Sequence, residues 1–219
     1  MEPIRPYLSL VQERIRHAAE RAGRAPQAVT LVAITKTVGI PEISALISEG
    51  VRDCGENRVQ DAIPKINALE SNGMRWHFVG NIQTNKIKKI VEHFSVIHSV
   101  NRLDLLAPIQ YQAKAQDKPI DILIEVNVSG EFSKQGMPPE LLDASITACR
   151  SLSHLRLRGL MTMAPWSDHP EASRPVFKEL KRLADHYALP ELSMGMSNDY
   201  EIAVEEGATL VRIGRALFG

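Results

Sequence analysis

Lys36 stands where a side-chain amine can do chemistry. It directly follows the run from Leu31 to Thr35, which is apolar and rich in β-branched residues. Such a run predicts a strand buried on both faces, with Lys36 at its carboxyl end. A lysine amine that points into a cavity can attack an aldehyde. A lysine at a strand end can also lie along the surface with its charge in water. Position alone leaves both interpretations open.

A second group of residues, later in the chain, is suited to phosphate. Ser197, Asn198 and Asp199 precede a predicted helix. They can serve only as a helix cap, or Ser197 and nearby backbone N–H groups can also hold an anion at the helix start. Gly214 and Arg215 follow the next predicted strand, and glycine lets a ligand approach the backbone closely. Together the two turns form a candidate phosphate site.

Arg212 lies inside the apolar run from Leu210 to Ile213. A buried arginine needs a partner. That partner is either a carboxylate, with Asp53 and Glu125 as candidates, or an acceptor atom of a ligand. Glu125 is also the best candidate for the catalytic carboxylate of a sugar-phosphate barrel enzyme, which is a third hypothesis for the chain.

Strands and helices must alternate to position these residues. The predicted strands are Leu31–Thr35, Val51–Cys54, Trp76–Val79, Val96–Val100, Ile120–Val128, Leu155–Met161, Leu192–Met196 and Thr209–Ile213. The predicted helices are Tyr7–Ala22, Pro41–Glu49, Asn57–Leu69, a basic helix through Lys86 and Lys89, Leu103–Ala115, one after Pro139, Glu171–Tyr187 and Asp199–Glu206. Eight strand–helix units predict one α/β domain over residues 1–219, a (β/α)8 TIM barrel with an extra N-terminal helix. An open doubly wound sheet is disfavoured because no glycine-rich turn follows the first strand.

Composition excludes several classes of protein. The chain has 219 residues, 24% of them charged, and its formal net charge is zero, without the basic excess of a nucleic-acid surface. Lys86, Lys88 and Lys89 are therefore interpreted as a solvated helix face. Cys54 and Cys149 form neither a disulfide framework nor a metal motif. We see no signal peptide and no apolar run of membrane-spanning length, so we expect a cytoplasmic protein without membrane or metal partners.

Four sequence blocks, in order, resemble the YggS/PROSC family, also called the pyridoxal 5′-phosphate (PLP) homeostasis proteins. The blocks are Glu56–Gln60, Trp76–Lys86, Gly159–Met163 and Ser193–Asp199, the last running on to Val211–Gly214. The resemblance spans about Leu31 to Gly219. It implies a fold-type-III PLP barrel similar to the N-terminal domain of alanine racemase. It also implies a role in the homeostasis of vitamin B6 and of amino and keto acids.

The resemblance assigns roles to individual residues. It implies a Schiff base on Lys36, a phosphate site at Ser197 with the Gly214–Arg215 turn, and Arg212 at the ring nitrogen. The full set of expected cofactor-binding residues is Lys36, Asn57, His77, Met163, Ser197, Asn198, Arg212, Gly214 and Arg215. Many relatives carry Thr or Ser where this chain has Arg215, so a backbone contact is expected there.

These expectations favour a binding protein over an enzyme. Guanidinium only donates hydrogen bonds, so the ring nitrogen would stay unprotonated and the ring would be a weak electron sink. The sequence ends at Gly219, soon after the eighth strand, so no second-domain acid or base is expected. We therefore expect a non-catalytic PLP protein that acts as a monomer, with PLP-dependent apoenzymes as recipients. A weak PLP-dependent amino-acid racemase is the alternative.

Overall fold

Eight parallel strands form a closed barrel in the computed structural model, which describes residues 4–131 and 135–218. The strands are β1 (Thr30–Ile34), β2 (Asp53–Glu56), β3 (Arg75–Phe78), β4 (Val96–Val100), β5 (Ile120–Glu125), β6 (Leu155–Met161), β7 (Glu191–Ser193) and β8 (Leu210–Ile213). They pair in chain order, and β8 pairs with β1 to close the barrel. The prediction of a (β/α)8 barrel is confirmed, and the open doubly wound sheet is excluded.

Helices connect the strands and cover the barrel. They are α1 (Ile4–Arg21), α2 (Ile40–Ser48), α3 (Val59–Ala68), α4 (Ile87–His93), α5 (Leu106–Ala115), α6 (Leu142–Arg150), α7 (Arg174–His186), α8 (Tyr200–Glu205) and α9 (Arg215–Phe218). Helix α1 is the predicted extra helix, and it packs mainly against α8 and α9. It therefore covers a side of the barrel. None of the helices in the two described ranges has both the length and the apolar character needed to cross a bilayer.

Several boundaries differ from the predictions. Strand β2 begins at Asp53, two residues later than predicted, because Val51 packs into the core between the barrel and the helices instead of pairing. Strand β7 ends at Ser193, because Gly195 has a φ of +88° and turns the chain away from the sheet. Helix α9 was not predicted.

The barrel interior contains both an apolar cluster and buried polar side chains. Five side chains form the apolar cluster: Val32, Val96, Leu123, Met161 and Leu210. The buried polar residues of the interior include His77, His98, Ser193 and Arg212. Strands β4 and β7 are not neighbours, so the hydrogen bond between His98 and Ser193 must cross the interior. The larger apolar core lies between the strands and the helices around them.

Candidate functional site

A cavity of about 610 Å³ opens at the carboxyl ends of the strands. Its volume lies in the range of roughly 300–1,000 Å³ that is common for small-molecule sites. Side chains at the ends of β1, β6 and β8 contribute Ile34, Met161 and Arg212 to its wall. Most of the predicted site residues also line it: Lys36, Asn57, Met163, Ser197, Asn198, Arg212, Gly214 and Arg215. The barrel therefore brings together residues that are distant in the sequence.

Lys36 enters this cavity from the loop after β1, and it is exposed there. The preceding residue, Thr35, is fixed by hydrogen bonds to Lys65 and Glu56. Lys65 donates from Nζ to the Thr35 carbonyl oxygen (2.8 Å) and to Glu56 Oε1 (2.8 Å). The Thr35 hydroxyl donates to the same carboxylate oxygen of Glu56 (2.7 Å). Lys65 belongs to α3, so these bonds fix the chain at Thr35, directly before Lys36 enters the cavity.

The two turns expected to hold phosphate lie side by side. The N–H of Ala216, after β8, donates to the Ser197 hydroxyl, after β7, over 3.3 Å. The Asn198 side chain donates to the Ser167 carbonyl oxygen, so its amide is engaged with the neighbouring loop. Among the described residues, no hydrogen-bond acceptor is found for the backbone N–H groups of Ser197 and Asn198. Two backbone donors are therefore available at the cavity wall.

Asp199 fixes the shape of the turn after β7. Its Oδ1 accepts the N–H of Met196 (2.7 Å), and its Oδ2 accepts the Ser173 hydroxyl (3.0 Å). The carboxylate is buried and lines the cavity, but both its oxygens are already hydrogen-bonded to protein donors. Asp199 is therefore a structural residue of the cavity wall.

Arg212 is buried in the barrel and reaches the cavity. It donates from Nη1 to Ser193 Oγ (2.6 Å) and from Nη2 to the Thr162 carbonyl oxygen (3.0 Å). Burial lowers the pKa of Arg212 to about 10, an effect that the nearby Glu125 opposes. In the described part of the chain, neither Asp53 nor Glu125 forms an ion pair with it. Arg212 is therefore a charged donor at neutral pH without a direct carboxylate partner.

The structure does not bring His77 to the cavity wall, unlike the other expected cofactor-binding residues. The His77 ring is fully buried in the barrel, and it is absent from the cavity wall. Its Nε2 lies 2.9 Å from Asp53 Oδ1 and its Nδ1 lies 2.8 Å from His98 Nε2. The physical reason is its place in the strand: His77 lies within β3, whereas the first residue of this segment at the cavity wall is Val79, two residues later.

Other residues of the cavity were not predicted. Gly80 and Asn81 follow β3 and line the cavity; the position of Asn81 just beyond the third predicted strand marked it as a rim residue, although no role was assigned to it. Trp166, on the loop after β6, lines the cavity with 73% of its surface exposed, and no periodic pattern marked it. Glu125 is buried outside the cavity wall, and burial raises its pKa. The catalytic carboxylate of the sugar-phosphate hypothesis is therefore not at the cavity.

Known proteins resemble this chain over its full length. The family model described as "Alanine racemase, N-terminal domain" matches residues 8–219. The pyridoxal phosphate homeostasis protein of Aquifex aeolicus is 44% identical over 97% of this chain and 96% of its own length. The structure of PipY from Synechococcus elongatus, with PLP bound, is 33% identical, with a TM-score of 0.83 over 95% of this chain and 100% of PipY.

Alanine racemase itself shares the fold at a greater distance. The Clostridium difficile enzyme is 15% identical, with a TM-score of 0.76 over the whole of this chain but only 57% of the enzyme. The homeostasis proteins have a much higher sequence identity to this chain, and the matches cover both compared chains almost completely. The chain therefore belongs to the family of pyridoxal phosphate homeostasis proteins, which have the alanine racemase N-terminal barrel.

Proposed function

We propose that the protein binds PLP in the cavity at the strand ends, as a Schiff base on Lys36, and serves PLP homeostasis without catalysing a reaction. The observation that carries the proposal is the convergence of Lys36, the Ser197 turn and Arg212 on one cavity. The bound PLP of PipY, a relative of similar fold, supports it. We further propose a single domain that acts as a cytoplasmic monomer and passes PLP to apoenzymes.

The cavity fits the three polar parts of PLP. The aldehyde needs an amine, and Lys36 has no protein partner among the described residues. The phosphate needs donors, and the N–H groups of Ser197 and Asn198 are available. The ring nitrogen needs a donor or an acid, and Arg212 is a donor. When bound, PLP supplies an electrophilic carbon for amines and a ring that withdraws electrons.

We assign the remaining wall residues by their position. Asn57 and Met163 would pack around the cofactor, and the Gly214–Arg215 turn would face the phosphate through its backbone. The Arg215 side chain is exposed, so it would stay in water near the anion. Because His77 lies outside the cavity wall, the set that we propose to contact the cofactor is Lys36, Asn57, Met163, Ser197, Asn198, Arg212, Gly214 and Arg215.

The chemistry of the wall argues against an enzyme. Racemisation needs an acid or base on each face of the substrate carbon. Among the described wall residues, Lys36 is the one amine, and no histidine or tyrosine is present. Asp199 is already bonded to Met196 and Ser173. Arg212, which stays protonated, would also leave the ring a weak electron sink.

Absorbance spectroscopy tests the binding proposal. Wild-type protein mixed with PLP should show a visible band that borohydride reduction fixes onto the chain. Lys36→Ala should lose both, because no other amine lies at the cavity wall within the described residues. Lys88→Ala, on the exposed face of α4, should keep both. The absence of a band in the wild type would overturn the proposal.

Chiral analysis tests the non-catalytic part. PLP-loaded protein incubated with L-alanine or L-serine should yield no D-enantiomer beyond that formed with free PLP. Enantiomer exchange that Lys36→Ala abolishes would instead establish the racemase alternative.

A further inference from the structure

A continuous chain of hydrogen bonds crosses the barrel interior and ends at Arg212. Asp53 Oδ1 lies 2.9 Å from His77 Nε2, and His77 Nδ1 lies 2.8 Å from His98 Nε2. His98 Nδ1 lies 2.8 Å from Ser193 Oγ, which accepts a hydrogen bond of 2.6 Å from Arg212 Nη1. The five side chains come from β2, β3, β4, β7 and β8. One end is the first residue of β2, and the other reaches the cavity at the opposite end of the barrel.

The surroundings of both histidines favour the neutral form of the ring. Each ring is fully buried. Burial lowers the pKa of His77, and the hydrogen bond and charge of Asp53 oppose that effect only in part. Burial lowers the pKa of His98 further, and His77 and Arg212 add to the shift. Arg75 also disfavours a proton on either ring.

Neutral rings allow only one direction of hydrogen bonding along this chain. The Asp53 carboxylate only accepts, so His77 carries its proton on Nε2. His77 Nδ1 must then accept from Nε2–H of His98. The remaining nitrogen, His98 Nδ1, accepts the Ser193 hydroxyl proton, and Ser193 Oγ is left to accept from Arg212. Each bond thus fixes the tautomer needed for the next.

We propose that Asp53, His77, His98 and Ser193 form a positioning network that holds the Arg212 guanidinium in place for the cofactor ring. The inference rests on the proposed function and extends it to residues that do not touch the cavity. Arg212 has two anchors, the Ser193 hydroxyl and the Thr162 carbonyl oxygen. The first anchor keeps its direction because every hydrogen bond behind it, back to Asp53, has a single allowed orientation.

Nuclear magnetic resonance of the histidine side chains tests the network without added PLP. At neutral pH, both His77 and His98 should be neutral, with the proton on Nε2. Protonation of Nδ1 on either ring, alone or together with Nε2, would overturn the proposed network. Since this measurement needs no cofactor, it stands even if the binding proposal fails.

PLP dissociation constants test whether the network acts through Arg212. Ser193→Ala should weaken PLP binding roughly threefold to tenfold, the usual effect of one hydrogen bond. In an Arg212→Lys background, the same change should have less than a twofold effect, because the anchored group is gone. Equal losses in both backgrounds would show that Ser193 only fills the core, and would overturn the proposal.

Asp53 provides a test from the far end of the barrel. Asp53→Leu should also weaken PLP binding about threefold or more, whereas Asp53→Asn, whose amide oxygen still accepts from His77, should recover most of the affinity. Asp61→Leu removes an exposed carboxylate from α3 as a control and should have no effect. Circular dichroism confirms folding of each variant. Unchanged affinity in folded Asp53→Leu would overturn the long-range role, while absence of binding in the wild type would instead reject the proposed function.

Discussion

Ser197 joins two turns that are 17 residues apart in the chain, and this makes it the residue most directly suited to a phosphate. Its hydroxyl already accepts the N–H of Ala216, so its own proton is available to a ligand oxygen. Ser197→Ala should therefore weaken PLP binding about threefold to tenfold, through one lost donor and a loosened turn. Titration followed by absorbance measures the change.

An exposed serine elsewhere serves as the control for Ser197→Ala. Ser48 donates to the Ala45 carbonyl oxygen at the end of α2 and does not line the cavity. Ser48→Ala should leave the PLP dissociation constant unchanged. If Ser197→Ala also leaves it unchanged, the phosphate does not lie at this turn.

The sequence supports most of the individual site residues for a simple reason. Parallel strands in a closed barrel end at one rim, so the sequence alone predicts that Lys36, Ser197 and Gly214 lie close together. The same argument fails for His77, because the sequence shows that a residue lies in a strand but not its height in the barrel. The hydrogen-bond partners of Arg212 could not be predicted either, because Ser193 and Thr162 come from other parts of the chain.

At the level of elements, Gly195 determines how β7 leads into the phosphate turn. Its φ of +88° suits glycine, and a Cβ there would lie 2.5 Å from the Cβ of Ala203 and 2.9 Å from the Cα of Tyr200. Gly195→Ala therefore combines backbone strain with a clash against α8. We expect a loss of about 2–5 kcal/mol in the free energy of unfolding, measured by urea denaturation.

A substitution at Gly73 serves as a control that separates backbone strain from the steric clash expected at Gly195. It also has a positive φ, +63°, but no atom lies within 4 Å of where its Cβ would be. Gly73→Ala should cost only the backbone term, about 1 kcal/mol. Equal destabilisation by the two substitutions would mean that packing against α8 contributes nothing.

Element boundaries were predicted less well than element types, and the errors have physical causes. Val51 is β-branched and apolar, which is typical of a strand, but it packs behind the sheet and β2 starts at Asp53. Strand β5 was predicted to reach Val128, whereas the chain leaves the sheet after Glu125 and Val126 bridges to Met137. Tertiary contacts, which no local sequence pattern encodes, determine where β2 begins and where β5 ends.

At the scale of the whole molecule, the chain has no net charge but carries polar and charged groups inside the barrel. The formal net charge is zero, yet the interior holds Arg212, Glu125 and two histidines. The alternation of strands and helices predicted the barrel, and the sequence offered candidate roles for Arg212 and Glu125 but none for His98. The family resemblance supplied the cofactor, and the structure supplied the interior network that connects the cavity to Asp53.

That interior makes the stability of the whole molecule depend on pH. Burial lowers the pKa of both His77 and His98 in the folded protein, so near pH 6 the unfolded chain binds more protons at these rings than the folded chain does. Stability is therefore fully present above the unfolded histidine pKa of about 6.5 and falls as the pH drops below it. Glu125, whose folded pKa is raised by burial, contributes in the opposite direction.

Two buried histidines should make this loss clear in urea denaturation. Each contributes up to about 1.4 kcal/mol per pH unit below the unfolded pKa, so between pH 7 and pH 5.5 we expect the free energy of unfolding to fall by about 1–2.5 kcal/mol. His98→Gln should flatten this dependence, since it removes the ring whose pKa is lowered by burial, by His77 and by Arg212 together. His17→Gln, on the exposed face of α1, should leave it unchanged. A pH profile that is flat in the wild type, or equally steep in His98→Gln, would show that the interior rings are not held neutral by the fold.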